Sequence, residues 1–237
     1  MSSRLYRTLV PGYKFAMDEL DFFGVAGPRS AEERERRIAR FVPDSEAVRD
    51  FMEYGYNYFD NPDYGVGYGG YRYDGRYAAS VERMIAHYRL APGARVLELG
   101  CAKGFILYEF LKRGMRVAGI DLSDYAVRNA VPEVRPHIVH GSCERLPWDT
   151  GSFDFVYSKE TLPHLTESQV TMAVREALRV CGTDAIFLEI QVGEDERAHR
   201  LMQAWDGTHQ CLRSADWWRS ALERLNFRGA AHFKTLF

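Results

Sequence analysis

Cysteine is scarce in this chain: four in 237 residues, at 101, 143, 181 and 211, none forming a C-x-x-C pair. That spacing excludes a disulfide framework and a zinc site of the usual kind, and it makes a reducing, cytoplasmic location the expectation. Long apolar runs are absent too. Nothing approaches the roughly 20 residues of a membrane-spanning helix, and the opening Met1-Ser-Ser-Arg-Leu-Tyr-Arg lacks a signal-peptide core, so no membrane partner is expected. Positive charge is not in excess: 31 Lys and Arg face 33 Asp and Glu, a net charge of −2. A nucleic-acid partner usually needs a basic stripe, and none is expected here. There is no internal repeat. What remains is 46% apolar and 27% charged, ordinary for a globular chain and long enough for one α/β domain with an added segment.

One stretch organises that domain: Arg95-Val-Leu-Glu-Leu-Gly-Cys-Ala-Lys-Gly-Phe105. Val96, Leu97 and Leu99 form a run of strand length, Gly100 and Gly104 punctuate it, and residues 105–111 follow with helical spacing. A strand that turns through glycines into a helix presents unpaired N–H groups and a positive dipole end to a ligand. Glycine lets the ligand approach the backbone without a Cβ in the way. Ala102, at the middle of the turn, fits a backbone with negative φ. Because the turn reads as lying at the sheet's edge, a branched residue at Gly100 is expected to block the ligand and leave the domain folded. Residues 115–123 form a second strand ending in Asp121, placed to receive ribose hydroxyls.

Together with residues 139–158, these segments resemble the class I S-adenosylmethionine-dependent methyltransferases, over roughly residues 90–190. The resemblance implies a Rossmann-like, doubly wound, mostly parallel sheet with helices on both faces, and S-adenosyl-L-methionine as cofactor. It places Glu98, Gly100, Cys101, Ala102 and Gly104 at the methionine part, Asp121 and Leu122 at the ribose, and Ser142, Cys143 and Glu144 along the adenine, with Ser158 at the end of the fourth strand. Ser142 stands where the family often has an Asp. The family usually ends its sheet with an antiparallel hairpin, for which too few residues remain here.

Read in order, residues 1–29 have no clear period and read as partly ordered. A capping box at Ser30 opens a helix over 31–41 whose arginines, Arg34, Arg36, Arg37 and Arg40, read as a solvated face rather than an anion site. A second helix runs from Pro43-Asp44 to Met52. Residues 54–77 hold eight tyrosines interleaved with glycines, a composition that suits a lid, or a loop that merely packs its aromatics. The division is therefore an N-terminal helical and lid segment, 1–78, and a cofactor-binding domain, 79–237. Within the lid, Tyr73 and Arg76 are assigned to the cofactor's carboxylate, and Tyr68 and Tyr71 to the substrate. Helices are expected at 78–90, 123–129, 166–180 and 194–203, with a last one opening at Ser214. Strands are expected at 136–140, 153–158 and 184–190, with a final one within 227–237.

Methyl transfer needs an aligned acceptor and a group to take its proton, best near neutral pKa. His164, on the loop after the fourth strand, is the candidate base, or else a histidine capping that loop. Asp206 and His209 join it on the same rim, with Trp205 as an apolar wall and Glu160 as a site for an amine. No metal is required. The function expected is methyl transfer to oxygen or nitrogen of a small molecule such as a sugar, amino acid or biosynthetic intermediate. Methylation of protein or nucleic acid, a nicotinamide dehydrogenase and a non-catalytic cofactor-binding protein stand as alternatives.

Overall fold

The short apolar runs become strands that all point one way. The computed structural model describes residues 17–24, 30–42 and 44–237. A short strand, β1 (Asp18–Glu19), is followed by α1 (Ala31–Arg40), α2 (Ser45–Met52), the single turn α3 (Tyr56–Phe59) and α4 (Ala78–Tyr88). Strands and helices then alternate: β2 (Arg95–Leu99), α5 (Phe105–Lys112), β3 (Arg116–Asp121), α6 (Asp124–Arg128), β4 (Ile138–His140), β5 (Phe155–Lys159), α7 (Glu167–Val180), β6 (Ile186–Gln191), α8 (Glu196–Trp205), α9 (Ala215–Arg224) and β7 (Ala230–Lys234). Among the described residues the sheet order is β1-β7-β6-β5-β2-β3-β4, every pair parallel. This is the Rossmann-like doubly wound fold, and its order reverses between β2 and β5, where open α/β sheets bind ligands.

The hairpin implied by the resemblance is replaced. β7 follows helix α9 and joins β6 in parallel, as a crossover connection requires, and β1 covers its outer side. β1 lies in a stretch that read as partly ordered, because two residues of strand carry no period. Phe22 and Phe23 hold it down, their rings 4.9 and 6.1 Å from that of Phe187. The rest of that reading, residues 1–16 and 25–29, lies outside the described residues, as does Pro43. Elsewhere the expected elements are found within a few residues. Pro136 and His137 belong to a 3-10 turn (Arg135–His137) ahead of β4, and α8 starts at its cap Asp195, whose side chain accepts from Ala198 N–H.

Alternation along the strands decides where the site lies. Leu97, Leu99, Val156, Ile186, Leu188 and Ile190 face the core formed with α7 and α9. On the other face Val96, Phe155, Tyr157, Phe187 and Ala230 pack on α4 and α5. Continued by twos, that second face reads Glu98, Lys159, Glu189, Gln191, His232 and Lys234. A parallel sheet is normally apolar on both faces, so the switch to charge at the carboxyl ends marks a place where the cover is not helix.

Gly229, just before β7, has no room for a side chain: a Cβ there would stand 2.4 Å from the Ile186 carbonyl oxygen and 2.7 Å from Phe227. Gly229→Ala should therefore destabilise the protein by about 1–3 kcal/mol, read as a lower urea midpoint with an unchanged slope; an unchanged midpoint would show that β7 is not seated this way.

Candidate active site

The glycine turn is fixed from two sides. Gly100 and Cys101 N–H both donate to the Ile120 carbonyl, at 2.8 and 3.1 Å. Gly100 and Gly104 have φ of +69° and +72°, which favour glycine. Ala102, expected at negative φ, has φ +47°. Its N–H donates to Asp121 Oδ2 at 2.6 Å, while Ser123 N–H donates to Oδ1 at 2.8 Å, and these contacts compensate the strained backbone. The Asp121 carboxylate thus braces the turn, and each of its oxygens keeps a further lone pair. Burial raises its pKa, and the two backbone donors work against that rise.

The turn also lies mid-sheet, not at an edge. A Cβ on Gly100 would come 2.1 Å from Thr161 Oγ1, which itself donates to the Leu99 carbonyl at 3.1 Å. Thr161 was missed in the sequence because its role depends on this contact with a distant glycine. Glu98 and Ser158 are buried nearby at the ends of β2 and β5, each with a side-chain oxygen lacking a partner. Burial holds the Glu98 carboxyl well above the usual range. Cys101 is buried and Leu122 is exposed. Beyond β4, Ser142 Oγ donates to Glu144 Oε1, which also accepts from Gln169 Nε2, both at 2.9 Å. The buried Cys143 thiol is pushed up to about 12.

The Tyr/Gly segment lies directly on this corner. Lys103, inside the turn, pairs with Asp60 and donates to the Tyr71 carbonyl at 3.2 Å. Tyr125 OH donates to Asp60 at 2.7 Å, and Ser123 Oγ donates to the Tyr54 carbonyl at 2.6 Å. The Tyr71 ring sits 4.5 Å from that of Phe105. Tyr73 is not brought to the turn: its hydroxyl bonds with Glu109 and Lys112 on α5. Arg76 pairs with Asp74 at 2.5 Å and faces the neighbouring cavity instead.

That cavity, of about 220 Å³, opens at the carboxyl ends of β5, β6 and β7. Of the residues assigned to the substrate, Tyr68, Glu160 and Trp205 line it and Tyr71 does not. Arg34 lines it as well and is only 8% exposed, which corrects the solvated-face reading at that position, while Arg36 and Arg40 are exposed as that reading expects. Lys159 Nζ lies 3.0 Å from Glu160 and 3.5 Å from Glu189; Lys234 pairs with Glu160 and lies 3.7 Å from Glu189. Against the cost of burial, the two lysines hold the Glu160 carboxyl well below its usual range. Glu160 also has left-handed backbone, φ +58°.

His164, Asp206 and His209 come together here. Asp206 Oδ1 accepts from the Thr208 hydroxyl at 2.6 Å and Oδ2 from Tyr58 OH at 3.0 Å. His164 Nδ1 lies 2.7 Å from Thr208 Oγ1, and His209 Nε2 lies 2.8 Å from Gln191 Oε1. The imidazoles stack, 4.6 Å apart and 20° from parallel. Burial and the neighbouring His209 lower the His164 pKa to about 4, well below the near-neutral value expected for a base, so the ring is neutral at pH 7. Burial works against the Asp206 charge, yet the two imidazoles and Thr208 keep its pKa below the usual range. Among the described residues two trios bring possible metal ligands within 4.8 Å of one another, this one and Asp21, Glu189 and His232. The second is faced by two lysines, which disfavour a cation.

Residues 97–188 match the methyltransferase domain family. An uncharacterized methyltransferase of Synechocystis is 32% identical over 101 residues, 41% of this chain and 47% of that protein. A tRNA U34 carboxymethyltransferase of Alcanivorax borkumensis is 29% identical over 128 residues, 51% of this chain and 39% of that protein. Among solved structures, the YcgJ protein of Bacillus subtilis superposes with a TM-score of 0.53 at 23% identity, over 61% of this chain and 66% of that one, and so shares the fold. Residues 97–188 thus match a methyltransferase domain, set within a Rossmann-like fold that the solved structures share. The chain's matches span about half or less of these curated relatives' length.

Because Thr161 occupies the space beside Gly100, Gly100→Val should unfold at markedly lower temperature than the wild type, rather than fold normally and lose ligand. A melting temperature within a degree or two of wild type would contradict the packing described.

Proposed function

We propose that the protein transfers a methyl group from S-adenosyl-L-methionine to an oxygen or nitrogen of a small-molecule acceptor held in the cavity. The observation that carries this reading is the junction at residues 158–161. Ser158 and Thr161 belong to the glycine-turn corner, while Lys159 and Glu160 line the cavity, so one short segment joins a cofactor corner to an acceptor chamber.

The corner suits the cofactor. Gly100 and Gly104 hold the turn open, Asp121 keeps lone pairs for ribose hydroxyls, and the unpartnered oxygens of Ser158 and Glu98 leave polar capacity unused at the strand ends. Glu98, Cys101, Ala102 and Leu122 would follow the methionine and ribose, and Ser142, Cys143 and Glu144 the adenine. The cofactor supplies an electrophilic methyl on a sulfonium. The chain's own residues align the acceptor and accept its proton. Tyr68, Glu160 and Trp205 bound the acceptor, and His164, neutral and facing the cavity, takes the proton with Asp206 and His209 beside it.

Several features support a small acceptor. The cavity is modest, the 54–77 segment packs against the corner beside it, and no excess of positive charge is present in the chain. Its lining mixes Arg34, Lys159 and Lys234 with Glu160, Glu189 and Asp206, which suits a polar or charged molecule. A tRNA enzyme stands among the relatives, so the relatives do not choose the acceptor.

Asp121→Ala removes a charge-assisted contact worth about 1.5–3 kcal/mol, so S-adenosylhomocysteine should bind at least about tenfold more weakly in a variant checked for folding. Calorimetry would decide, and an unchanged affinity would remove Asp121 from the ribose.

Residues 54–77 are read as a lid clamped by Asp60 on Lys103 and Tyr125, with Arg76 on its inner side. Trypsin cleavage at Arg72 or Arg76 should slow when S-adenosylhomocysteine is added and quicken in Asp60→Asn. Cleavage indifferent to both would make the segment packing rather than lid.

A further inference from the structure

We propose that Thr208 is a positioning residue, whose hydroxyl relays the hold of Asp206 to His164 and fixes the imidazole with its proton on Nδ1 and its lone pair on Nε2. This rests on the reading of His164 as the group that takes the acceptor's proton.

The argument is one of proton counting. A carboxylate only accepts hydrogen bonds, so the 2.6 Å contact between Thr208 Oγ1 and Asp206 Oδ1 uses the single hydroxyl proton of Thr208. The 2.7 Å contact between His164 Nδ1 and Thr208 Oγ1 must then be donated by the ring. Nε2 is left bare on a residue that lines the cavity. The carboxylate is itself held: Thr208 N–H donates to Oδ1 at 3.1 Å and Tyr58 OH to Oδ2 at 3.0 Å. The ring's flat side rests on His209, whose Nε2 faces the Gln191 side-chain oxygen at 2.8 Å and whose buried Nδ1 has no partner. The His164 ring is neutral in this stack, since burial and the neighbouring imidazole disfavour its charge. The other groups facing the relay are the Tyr54 hydroxyl, which hydrogen-bonds with Thr208, and the Glu160 carboxylate and backbone carbonyl beside His164, the carbonyl an acceptor that competes with Thr208 for the one ring proton.

The arrangement has the logic of a base oriented by a buried carboxylate, with one hydroxyl inserted between them. Its third member is the alternative it excludes. His164, Asp206 and His209 are close enough for a shared cation, but the imidazoles lie nearly parallel. With the ring planes only 20° apart, lone pairs from the two rings lie in nearly parallel planes and do not readily converge on one ion.

Histidine-selective ¹⁵N NMR tests this on the full chain without any acceptor, the His164 signals being assigned by comparison with His164→Gln. The wild type should show His164 protonated on Nδ1 and bare on Nε2 across neutral pH. Thr208→Val keeps the buried shape and removes the hydroxyl; the proton should move to Nε2, and Thr208→Ser should restore it to Nδ1. A wild-type ring protonated on Nε2, or a tautomer indifferent to Thr208→Val in a folded variant, would overturn the relay. So would broadening of the His164 and His209 signals together by stoichiometric Mn²⁺, which would show the cation site instead. S-adenosylhomocysteine binding is measured in parallel on the same samples. Its loss in the wild type would count against the methyltransferase reading, and its retention with a wrong tautomer would count against the relay alone.

Discussion

Because every strand is parallel, every carboxyl end opens on the same rim, and the molecule must decide what covers that rim. Over the amino-terminal half of the sheet, α4 and α5 cover Phe155, Tyr157 and Phe187 on one face, and α7 and α9 cover the other. Toward the carboxyl ends the first face turns to Lys159, Glu189, Gln191, His232 and Lys234, side chains that no apolar helix could cover without stranding their charges. Chain from outside the alternating core fills the space instead: β1 with Phe22 and Phe23, Arg34 of α1 and the Tyr/Gly segment. The cavity is what this cover leaves open.

Burying two lysines and two glutamates around one cavity is poor practice for stability, since well-packed apolar groups of the same volume often do as well or better. Such a quartet is understandable if a ligand meets it. The same holds for Ala102, Tyr54 and Glu160, which carry left-handed backbone without being glycines, all at this rim. At the glycine corner the compensation is visible, because Asp121 satisfies the Ala102 N–H directly. The corner and the chamber therefore share one design, in which polar groups are held in fixed positions by neighbours bound to the same few strands.

Much of this was legible in the sequence, and the reasons differ by element. The central strands and their helices were readable because apolar runs and glycines punctuate them locally. The position of Asp121 beside the turn follows from its distance past it, and His164, Asp206 and His209 come together because loops after the strands share a rim. What could not be read depended on contacts across the chain. β1 has two residues and no period, and its seat depends on Phe187. The positive φ of Ala102 is set by Asp121, 19 residues on. Arg34 looks like its exposed helical neighbours until Trp205 and the chain end close over it. Tyr73 and Arg76 were matched to a carboxylate by chemistry alone, and the structure gives them Glu109, Lys112 and Asp74 as partners. Thr208 carried no signal, since its importance lies in two side chains brought to it by folding.

The central claim, methyl transfer to a small molecule in the β5–β7 cavity, is tested most directly by following a labelled methyl group. The protein would be incubated with S-adenosylmethionine carrying a tritiated methyl and with cell extract separated into small-molecule, nucleic-acid and protein fractions. The account expects label to enter the small-molecule fraction with the wild type and to fall sharply with His164→Gln. Label appearing only in the nucleic-acid or protein fraction, or equal transfer by the His164 variant, would contradict it.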